Sequence, residues 1–283
     1  MSATNPMQNK TILVTGATSG IGLVAARQLA RQGGSVVLVG RSAAKLSTVA
    51  EQIKTQTGNT QIETIVADLS THAGVQHTAH EFKKRYPRLD VLLNNAGAIF
   101  SSRQVSADGL ELTFALNHLN YFHLTMLLMD VLKASNAARV VNVSSDAHRG
   151  QKLDFDDLQN SKNYSRFSAY GRSKLMNLLF TYELARKLEG TKITANALHP
   201  GFVSTGFALN NQGLLRWGVK LLRIFALTPE KGAETSIYLA SSPEVEGVTG
   251  KYFSDRKMIN SDPVSYDKTT AEKLWQVSLE MIA

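Results

Sequence analysis

Short apolar runs alternate with longer stretches of helical spacing along the first two thirds of the chain. The runs at 11–14, 35–39, 61–66, 91–94, 139–143 and 193–197 predict strands. The spacing at 21–32, 43–55, 71–85, 109–133 and 168–188 predicts helices between them. Apolar strands separated by helices are typical of a parallel sheet that is covered on both faces. The pattern therefore predicts an α/β fold over 1–283: a single-domain, Rossmann-type doubly wound parallel sheet with helices on both faces.

The pattern beyond residue 201 is less regular, and this part is expected to shape a pocket over the sheet. Residues 213–227 are mostly apolar, with Arg216, Lys220 and Arg223 on one helical face, which predicts an amphipathic helix. Three roles stay open for this helix. It could be a lid over an apolar substrate, within a lid region at 201–230. It could pack on the protein's own core or on another subunit, or rest weakly on an anionic membrane surface.

Composition narrows the functional classes. The net charge is +8, but the basic residues are scattered, which favours an anionic cofactor over nucleic acid. The chain has no cysteine, which excludes disulfides and thiolate metal sites and fits a reducing compartment. The seven histidines have no metal-binding spacing, so no metal is expected. With neither an apolar leader nor an apolar run of about 18 residues, we expect a cytoplasmic protein without a transmembrane segment.

A glycine-rich turn, Thr-Gly-Ala-Thr-Ser-Gly-Ile-Gly at 15–22, joins the first strand to the first helix. Glycines allow a tight turn and a close approach of backbone to phosphate, and the helix N-terminus offers free N–H groups. No Gly-Lys-Ser/Thr follows, which argues against a nucleotide hydrolase. We therefore expect a dinucleotide-binding turn, with contacts from Gly16, Thr18, Ser19, Gly20, Ile21 and Gly22.

The residue after the second strand bears on the choice of dinucleotide. NAD-binding units usually carry an acid there to hold the ribose hydroxyls, whereas this chain has Arg41, with Lys45 one turn further on. Arginine suits a bidentate grip on a 2′-phosphate. The sequence therefore favours NADP (NADPH) over NAD, although Arg41 could also be a solvated loop residue.

Tyr170 and Lys174 are the candidate chemical groups. They lie four positions apart in a predicted helix and so share one face. A cation close to a phenol favours the phenolate and lowers the phenol's pKa, which suits a group that exchanges protons with a reacting oxygen. Taken alone, the pair favours the plainer interpretation, a surface tyrosine beside a solvated lysine.

Four motifs in order resemble those of the short-chain dehydrogenase/reductase superfamily, over nearly all of the chain. They are the turn at 15–22, Asn-Asn-Ala-Gly at 94–97, Tyr-x-x-x-Lys at 170–174 and Pro-Gly at 200–201. The insert at 146–169 and the C-terminal tail around Trp275 resemble the retinol dehydrogenase branch.

The resemblance implies a role for each matching residue. Tyr170 would be the general acid or base, and Lys174 would lower its pKa and bind the nicotinamide ribose. Ser145 would bind the substrate oxygen, in preference to its neighbour Ser144, and Asn117 would hold a water in a proton relay. The other implied cofactor contacts are Asp68 and Leu69 at the adenine, Val203 and Thr205 at the nicotinamide amide and diphosphate, and Asn95, Ala96, Gly97, Val143, Pro200 and Gly201.

The function implied is an NADP(H)-dependent oxidoreductase that interconverts an apolar aldehyde or ketone and its alcohol. One alternative is a non-catalytic dinucleotide-binding sensor or scaffold. Another is a protochlorophyllide reductase-like enzyme, which the absence of cysteine disfavours. Relatives often pair through the helices that carry Asn117 and Tyr170, so the resemblance allows a homodimer or homotetramer. The role of His199 stays open.

Overall fold

The computed structural model describes residues 5–201 and 227–283, and its described strands form one sheet. The strand order is β3-β2-β1-β4-β5-β6-β7-β8; β1 to β7 run parallel, and β8 is antiparallel to β7. The chain order reverses between β1 and β4, which opens a crevice at the carboxyl ends of the strands. The predicted fold class is confirmed. The strands are β1 Thr11–Thr15, β2 Ser35–Gly40, β3 Ile62–Val66, β4 Val91–Asn94, β5 Arg139–Val143, β6 Thr194–His199, β7 Tyr252–Ser254 and β8 Lys257–Ile259.

Helices cover both faces of the sheet because alternate strand residues point to opposite sides. In β1, Ile12 and Val14 pack into the core beneath α1, α2 and α8, whereas Leu13 packs into the core beneath α3, α5 and α7. The helices are α1 Gly20–Arg31, α2 Ala43–Thr57, α3 His72–Arg85, α4 Leu112–Phe114, α5 Asn120–Leu127, α6 Met129–Lys133, α7 Arg166–Lys187, α8 Pro229–Ser241 and α9 Lys268–Ile282.

The predicted helix at 109–133 is interrupted in the structure. A π-helical turn, Ala115–Leu119, separates α4 from α5, and the chain leaves helical geometry at Leu128. Such a turn bonds each N–H to the carbonyl five residues earlier, so it shifts the direction of the side chains that follow and is often found at functional sites. Asn117 lies within it.

The C-terminal part is more regular than the sequence pattern predicted. Beyond residue 227 the chain forms α8, the hairpin β7–β8 and α9. The two strands have three residues each, too few to show a period. Trp275 on α9 packs edge-on against Phe122 of α5, with ring centroids 4.9 Å apart, and lies 5.9 Å from Phe180 of α7. Part of the α5–α7 surface is therefore covered by the chain's own α9.

Two sets of predictions fall on the part of the chain from 202 to 226. Val203, Thr205 and nearly all of the amphipathic helix at 213–227 lie outside the described residues. Among the helices that are described, none has both the length and the apolar character needed to cross a bilayer.

Asp90 ties together the ends of three elements. Its buried carboxylate accepts hydrogen bonds from the N–H of Thr11 at 2.9 Å and the hydroxyl of Ser135 at 2.8 Å, and it pairs with Lys10 and Arg88, each at 3.3 Å. Burial by itself would raise the pKa of Asp90. The bonds from Thr11 and Ser135, with the charge of Lys10, outweigh that effect and hold the pKa below its usual value.

We predict that Asp90→Ala lowers the free energy of unfolding by about 3 kcal/mol at pH 7, because it leaves buried donors without an acceptor. The pKa of Asp90 is lowered on folding, so its contribution is present above the unfolded pKa of ~3.9 and is lost as pH falls through the folded pKa. The difference in the free energy of unfolding between the wild type and the variant should therefore become smaller below about pH 4. Urea unfolding at several pH values measures this difference.

The matched control is Asp130→Ala, which breaks an exposed ion pair with Lys83. Such a pair contributes less than about 1 kcal/mol. Equal losses for the two variants at pH 7, or a gap for Asp90→Ala that does not change with pH, would contradict the role assigned to Asp90.

Candidate active site

The predicted site residues of the described chain gather at one edge of the sheet. Each lies at or just beyond the carboxyl end of one of six parallel strands, or on a helix packed against that edge. This is the edge at which open α/β sheets bind their ligands. The residues at the strand ends are Gly16, Thr18, Ser19, Gly20, Ile21 and Gly22 after β1; Arg41 and Lys45 after β2; Asp68 and Leu69 after β3; Asn95, Ala96 and Gly97 after β4; Val143 and Ser145 at β5; and Pro200 and Gly201 after β6.

The start of α1 is left open towards this edge. Ser19 precedes α1, yet its side chain does not cap the helix, and the first turn contains no acidic residue. The caps of α2, α3, α8 and α9 do accept a hydrogen bond from their helix; these residues are Ser42, Thr71, Thr228 and Asp267. The first-turn N–H groups of α1 are thus available, together with the positive end of the helix dipole, to an anion such as a phosphate.

The glycine-rich turn is as tight as its sequence predicts. Gly16 has φ 66°, and a Cβ there would lie 2.9 Å from the Cα of Ala96. A Cβ on Gly22 would lie 2.5 Å from the carbonyl oxygen of Gly16. Neither position has room for a side chain, so glycine at both positions lets the turn close against the start of α1 and the loop after β4.

Thr15 and Asn95 hold this turn against β4, a function that the sequence did not reveal. The hydroxyl of Thr15 accepts hydrogen bonds from the N–H groups of Asn95 at 2.9 Å and Ala96 at 3.0 Å. The Asn95 amide donates in return to the Thr15 carbonyl at 2.9 Å. Asn95 and Ala96 therefore fix the shape of the turn, and Gly97 follows them towards the centre of the site.

Arg41 and Lys45 are exposed just beyond β2. Neither side chain pairs with a carboxylate within 5–201 or 227–283. The hydroxyl of Ser42 accepts the backbone N–H of Lys45 at 3.3 Å, which fixes the start of α2 beside them. Two uncompensated cations therefore lie at the strand end where the second nucleotide-binding loop begins. In the next loop, Asp68 is exposed and accepts from the hydroxyl of Ser70, while Leu69 is buried.

Lys174 is buried at the centre of the site. Its side chain is 2% exposed, and its Nζ donates to the carbonyl of Val143 at 3.0 Å. The rings of Tyr170 and Tyr121 lie 5.5 Å and 5.8 Å from this nitrogen. Burial lowers the pKa of Lys174 to about 7, because removal from water disfavours the ammonium. A Cβ on Gly97 would lie 3.6 Å from the Nζ, so the loop after β4 closes directly over the lysine.

The pKa of Tyr170 differs from the sequence expectation. Burial raises it to about 12, and a hydrogen bond with Ser145 opposes that rise only in part. The expected lowering by Lys174 does not dominate, because the amine is directed at the Val143 carbonyl and sits 5.5 Å from the ring centroid. Tyr170 is therefore a protonated phenol at neutral pH.

The two serines at the end of β5 face different partners. Ser144 is buried, and its hydroxyl donates to the carbonyl of Lys174 at 2.8 Å, which anchors α7 to the strand. The hydroxyl of Ser145 accepts from the N–H of Ala147 at 3.2 Å and is bonded to Tyr170. The structure thus brings Ser145, rather than Ser144, beside the phenol.

Asn117 ties the loop after β4 to α7. Its Oδ1 accepts from the N–H of Ala98 at 2.8 Å, and its Nδ2 donates to the Ala98 carbonyl at 2.9 Å and to the hydroxyl of Ser173 at 3.1 Å. Ser173 in turn donates to the carbonyl of Tyr170 at 2.7 Å. The side chain of Asn117 is therefore fully engaged in holding two segments of the site together.

His199 links the turn after β6 to the loop after β5. Its Nδ1 accepts from the N–H of Asp146 at 3.3 Å, and its Nε2 lies 3.6 Å from the carboxylate of the same residue. This geometry places the proton of the neutral ring on Nε2. Because Asp146 adjoins Ser145 and His199 adjoins Pro200, the contact connects the loop that carries Ser145 to the turn that carries Pro200 and Gly201.

Comparison with known proteins agrees with this geometry. The family model for short chain dehydrogenases matches residues 10–212. Retinol dehydrogenase 12 of Mus musculus is 42% identical over 96% of this chain and 86% of its own length. The polyprenol dehydrogenase of Homo sapiens is 41% identical over 98% of this chain and 86% of its own length. The structure of Pseudomonas aeruginosa RhlG in an active-site complex with NADP superimposes with a TM-score of 0.71 at 27% identity, covering 89% of this chain and 97% of that one.

The family model covers most of the chain, and the curated relatives extend the match to nearly all of it. The single, mostly parallel sheet agrees with this relationship. This protein therefore belongs to the short-chain dehydrogenase/reductase superfamily of oxidoreductases, in its retinol dehydrogenase-like branch.

Proposed function

We propose that this protein is an NADP(H)-dependent carbonyl reductase or alcohol dehydrogenase that acts on apolar aldehydes or ketones and the corresponding alcohols. The observation that carries the proposal is the meeting of Tyr170, Ser145 and Lys174 beside an open dinucleotide turn. A phenol bonded to a serine hydroxyl, with a lysine amine behind it, is suited to give a proton to a carbonyl oxygen or to take one from an alcohol.

The residues present fit a nicotinamide dinucleotide. The uncapped start of α1 and the accessible backbone of Thr18, Ser19 and Gly20 would hold its diphosphate. Such a cofactor, when bound, supplies or accepts the hydride. The chain's own residues then have to position the substrate oxygen and move a proton.

For carbonyl reduction, the phenol of Tyr170 donates its proton to the substrate oxygen. The hydroxyl of Ser145 donates a hydrogen bond to the same oxygen as negative charge develops there. The phenolate left behind is stabilised by the amine of Lys174, which takes up a proton more readily once an anion faces it. The reverse reaction needs the phenolate at the start, so the direction of catalysis sets which form of Tyr170 is active.

The preference for NADP is supported by Arg41 and Lys45. Both are exposed and lack carboxylate partners in the described part of the chain, so both are free to bind a 2′-phosphate. The structural relative RhlG was solved with NADP.

An apolar substrate is supported by one exposed aromatic side chain near Tyr170 and by the relatives. Phe167 is 65% exposed and lies three residues before Tyr170, on a shared side of α7. An exposed phenylalanine at that position offers an apolar surface to a substrate approaching the phenol. Retinol and polyprenol, for which two relatives are named, are both apolar alcohols.

Tyr170→Phe tests the proton transfer. We expect turnover of an apolar aldehyde with NADPH to fall by about 10²–10⁴-fold, because the ring stays in place while the transferable proton is lost. NADPH binding, followed by fluorescence titration, should change little. Tyr238→Phe, which removes a hydroxyl on the distant α8, is the control and should keep full turnover. Full turnover by Tyr170→Phe would refute the mechanism.

Arg41→Ala tests the choice of cofactor. We expect the Kd for NADPH to rise by ten-fold or more, since a charge-assisted pair is removed, and the Kd for NADH to change less than about two-fold. Arg31→Ala, at the far end of α1, should change neither value. An equal loss of affinity for NADPH and NADH would remove Arg41 from the 2′-phosphate site.

The pH dependence of the two directions should differ. Because burial raises the pKa of Tyr170 to about 12, the phenol is protonated at neutral pH. Reduction, which needs the protonated phenol, should not rise between pH 6 and 8, whereas alcohol oxidation, which needs the phenolate, should rise with pH. Initial rates measured in both directions across a pH series test this. An oxidation rate that fell as pH increased would contradict the assignment of Tyr170 as the base.

A further inference from the structure

Three buried polar side chains near Lys174 have no role in the proposed proton transfer. Asn177 is on α7, His118 is in the π-helical turn and Ser278 is on α9, and all three are fully buried. Buried polar groups are costly unless they are hydrogen-bonded, so their mutual contacts call for an explanation.

Asn177 touches two carbonyl groups of the site. Its Nδ2 donates to the carbonyl of Asn117 at 2.9 Å and approaches that of Val143 at 3.4 Å. The Val143 oxygen also accepts from the Nζ of Lys174 at 3.0 Å. Asn177 and Lys174 therefore share one acceptor, and the position of that acceptor determines where the amine of Lys174 lies.

The orientation of the Asn177 amide is fixed by chemistry. Two carbonyl oxygens on one side require the N–H₂ group there, so the Oδ1 must face His118, whose Nδ1 lies 3.4 Å away. Since an amide oxygen only accepts, the Nδ1 of His118 must carry the proton. Its Nε2 is then an acceptor for the hydroxyl of Ser278, 3.2 Å away.

The resulting chain of hydrogen bonds runs in one direction, from the hydroxyl of Ser278 through His118 and Asn177 to the carbonyls of Asn117 and Val143. It requires a neutral imidazole. Burial lowers the pKa of His118 to about 4, so the ring is neutral at pH 7.

Resting on the proposed function, we propose that Asn177 is a positioning residue for the Tyr170–Lys174 pair. It holds the carbonyls of Asn117 and Val143 in place, and His118 and Ser278 fix the orientation of its amide. Through Asn117 the effect reaches the loop after β4, because that residue's side chain is bonded to Ala98.

The direction of the expected effect follows from the shared acceptor. Without the Asn177 amide, the carbonyls of Asn117 and Val143 each lose a donor, and the Lys174 amine is drawn more strongly towards the Val143 carbonyl, its remaining partner, and away from Tyr170. The other groups that face Lys174 are the rings of Tyr121 and Tyr170, and no carboxylate of the described residues pairs with it. The phenolate of Tyr170 would then have less support from the amine.

The test is the pH profile of kcat for alcohol oxidation in Asn177→Leu. We expect kcat to fall at least ten-fold at pH 8 and its alkaline rise to move to higher pH by half a unit or more, with the KM for NADP changed less than about three-fold. Tyr182→Phe is the matched control. It also removes a buried hydrogen bond of α7, the one between the Tyr182 hydroxyl and that of Ser261 at 2.7 Å, but it touches neither carbonyl and does not contact Asn177.

A purely structural role would make the two variants alike: both would lose thermal stability, and both would keep the wild-type pH profile. If turnover of the wild type depends on Tyr170 and Asn177→Leu keeps the wild-type profile, the positioning role is overturned while the proposed function stands. If Asn177→Leu fails to fold, Ser278→Ala tests the positioning role instead. The pH profile of kcat in Ser278→Ala should move to higher pH by a smaller amount than expected for Asn177→Leu, and an unchanged profile would overturn the proposal.

A second measurement does not depend on activity. In protein with ¹⁵N-labelled histidine, the signal of His118, assigned by its absence in His118→Gln, should show the Nδ1–H tautomer from pH 8 down to about pH 5. In Asn177→Leu that tautomer should no longer be favoured. An Nε2–H tautomer in the wild-type protein would overturn the hydrogen-bond chain and the positioning role with it.

Discussion

The burial of the Lys174 amine is the constraint on which the rest of the site depends. An amine that is 2% exposed must find acceptors inside the protein, and the structure gives it the carbonyl of Val143 at the end of β5. That bond helps to fix the position of α7 relative to the sheet, and therefore the position of Tyr170, which lies one turn earlier on the same helix. Burial also lowers the pKa of the amine to about 7, so the amine is only partly protonated at neutral pH and responds to any anion placed beside it.

The surrounding structure can be understood as support for this one buried group. Ser144 bonds the backbone of Lys174 to β5, and Gly97 leaves room for the loop after β4 to close over it. The π-helical turn brings the backbone of Asn117 within reach of α7, and α9 covers the far side of the same layer. The segments that surround Lys174 are therefore far apart in sequence. They are the ends of the strands, the interrupted helix that carries Asn117, and the C-terminal helix α9.

Local patterns predicted the parts of the site that depend on local spacing. The glycine-rich turn, the i, i+4 pair on α7 and the cations after β2 are each visible within a few residues of sequence. The sequence could not show burial, and so it gave the wrong direction for the pKa of Tyr170. It could not show the contact between His118 and Ser278, which lie 160 positions apart, and a π-helical turn has no period that distinguishes it from the predicted helix.

The central claim is that Tyr170 moves a proton while hydride moves between cofactor and carbon at this site. Its most direct test uses NADPH deuterated at the transferable position of C4, an apolar aldehyde and mass spectrometry of the product. The account predicts an alcohol with one deuterium on the carbinol carbon, formed by the wild type and nearly absent with Tyr170→Phe. An unlabelled alcohol, or equal labelled product from both proteins, would contradict it.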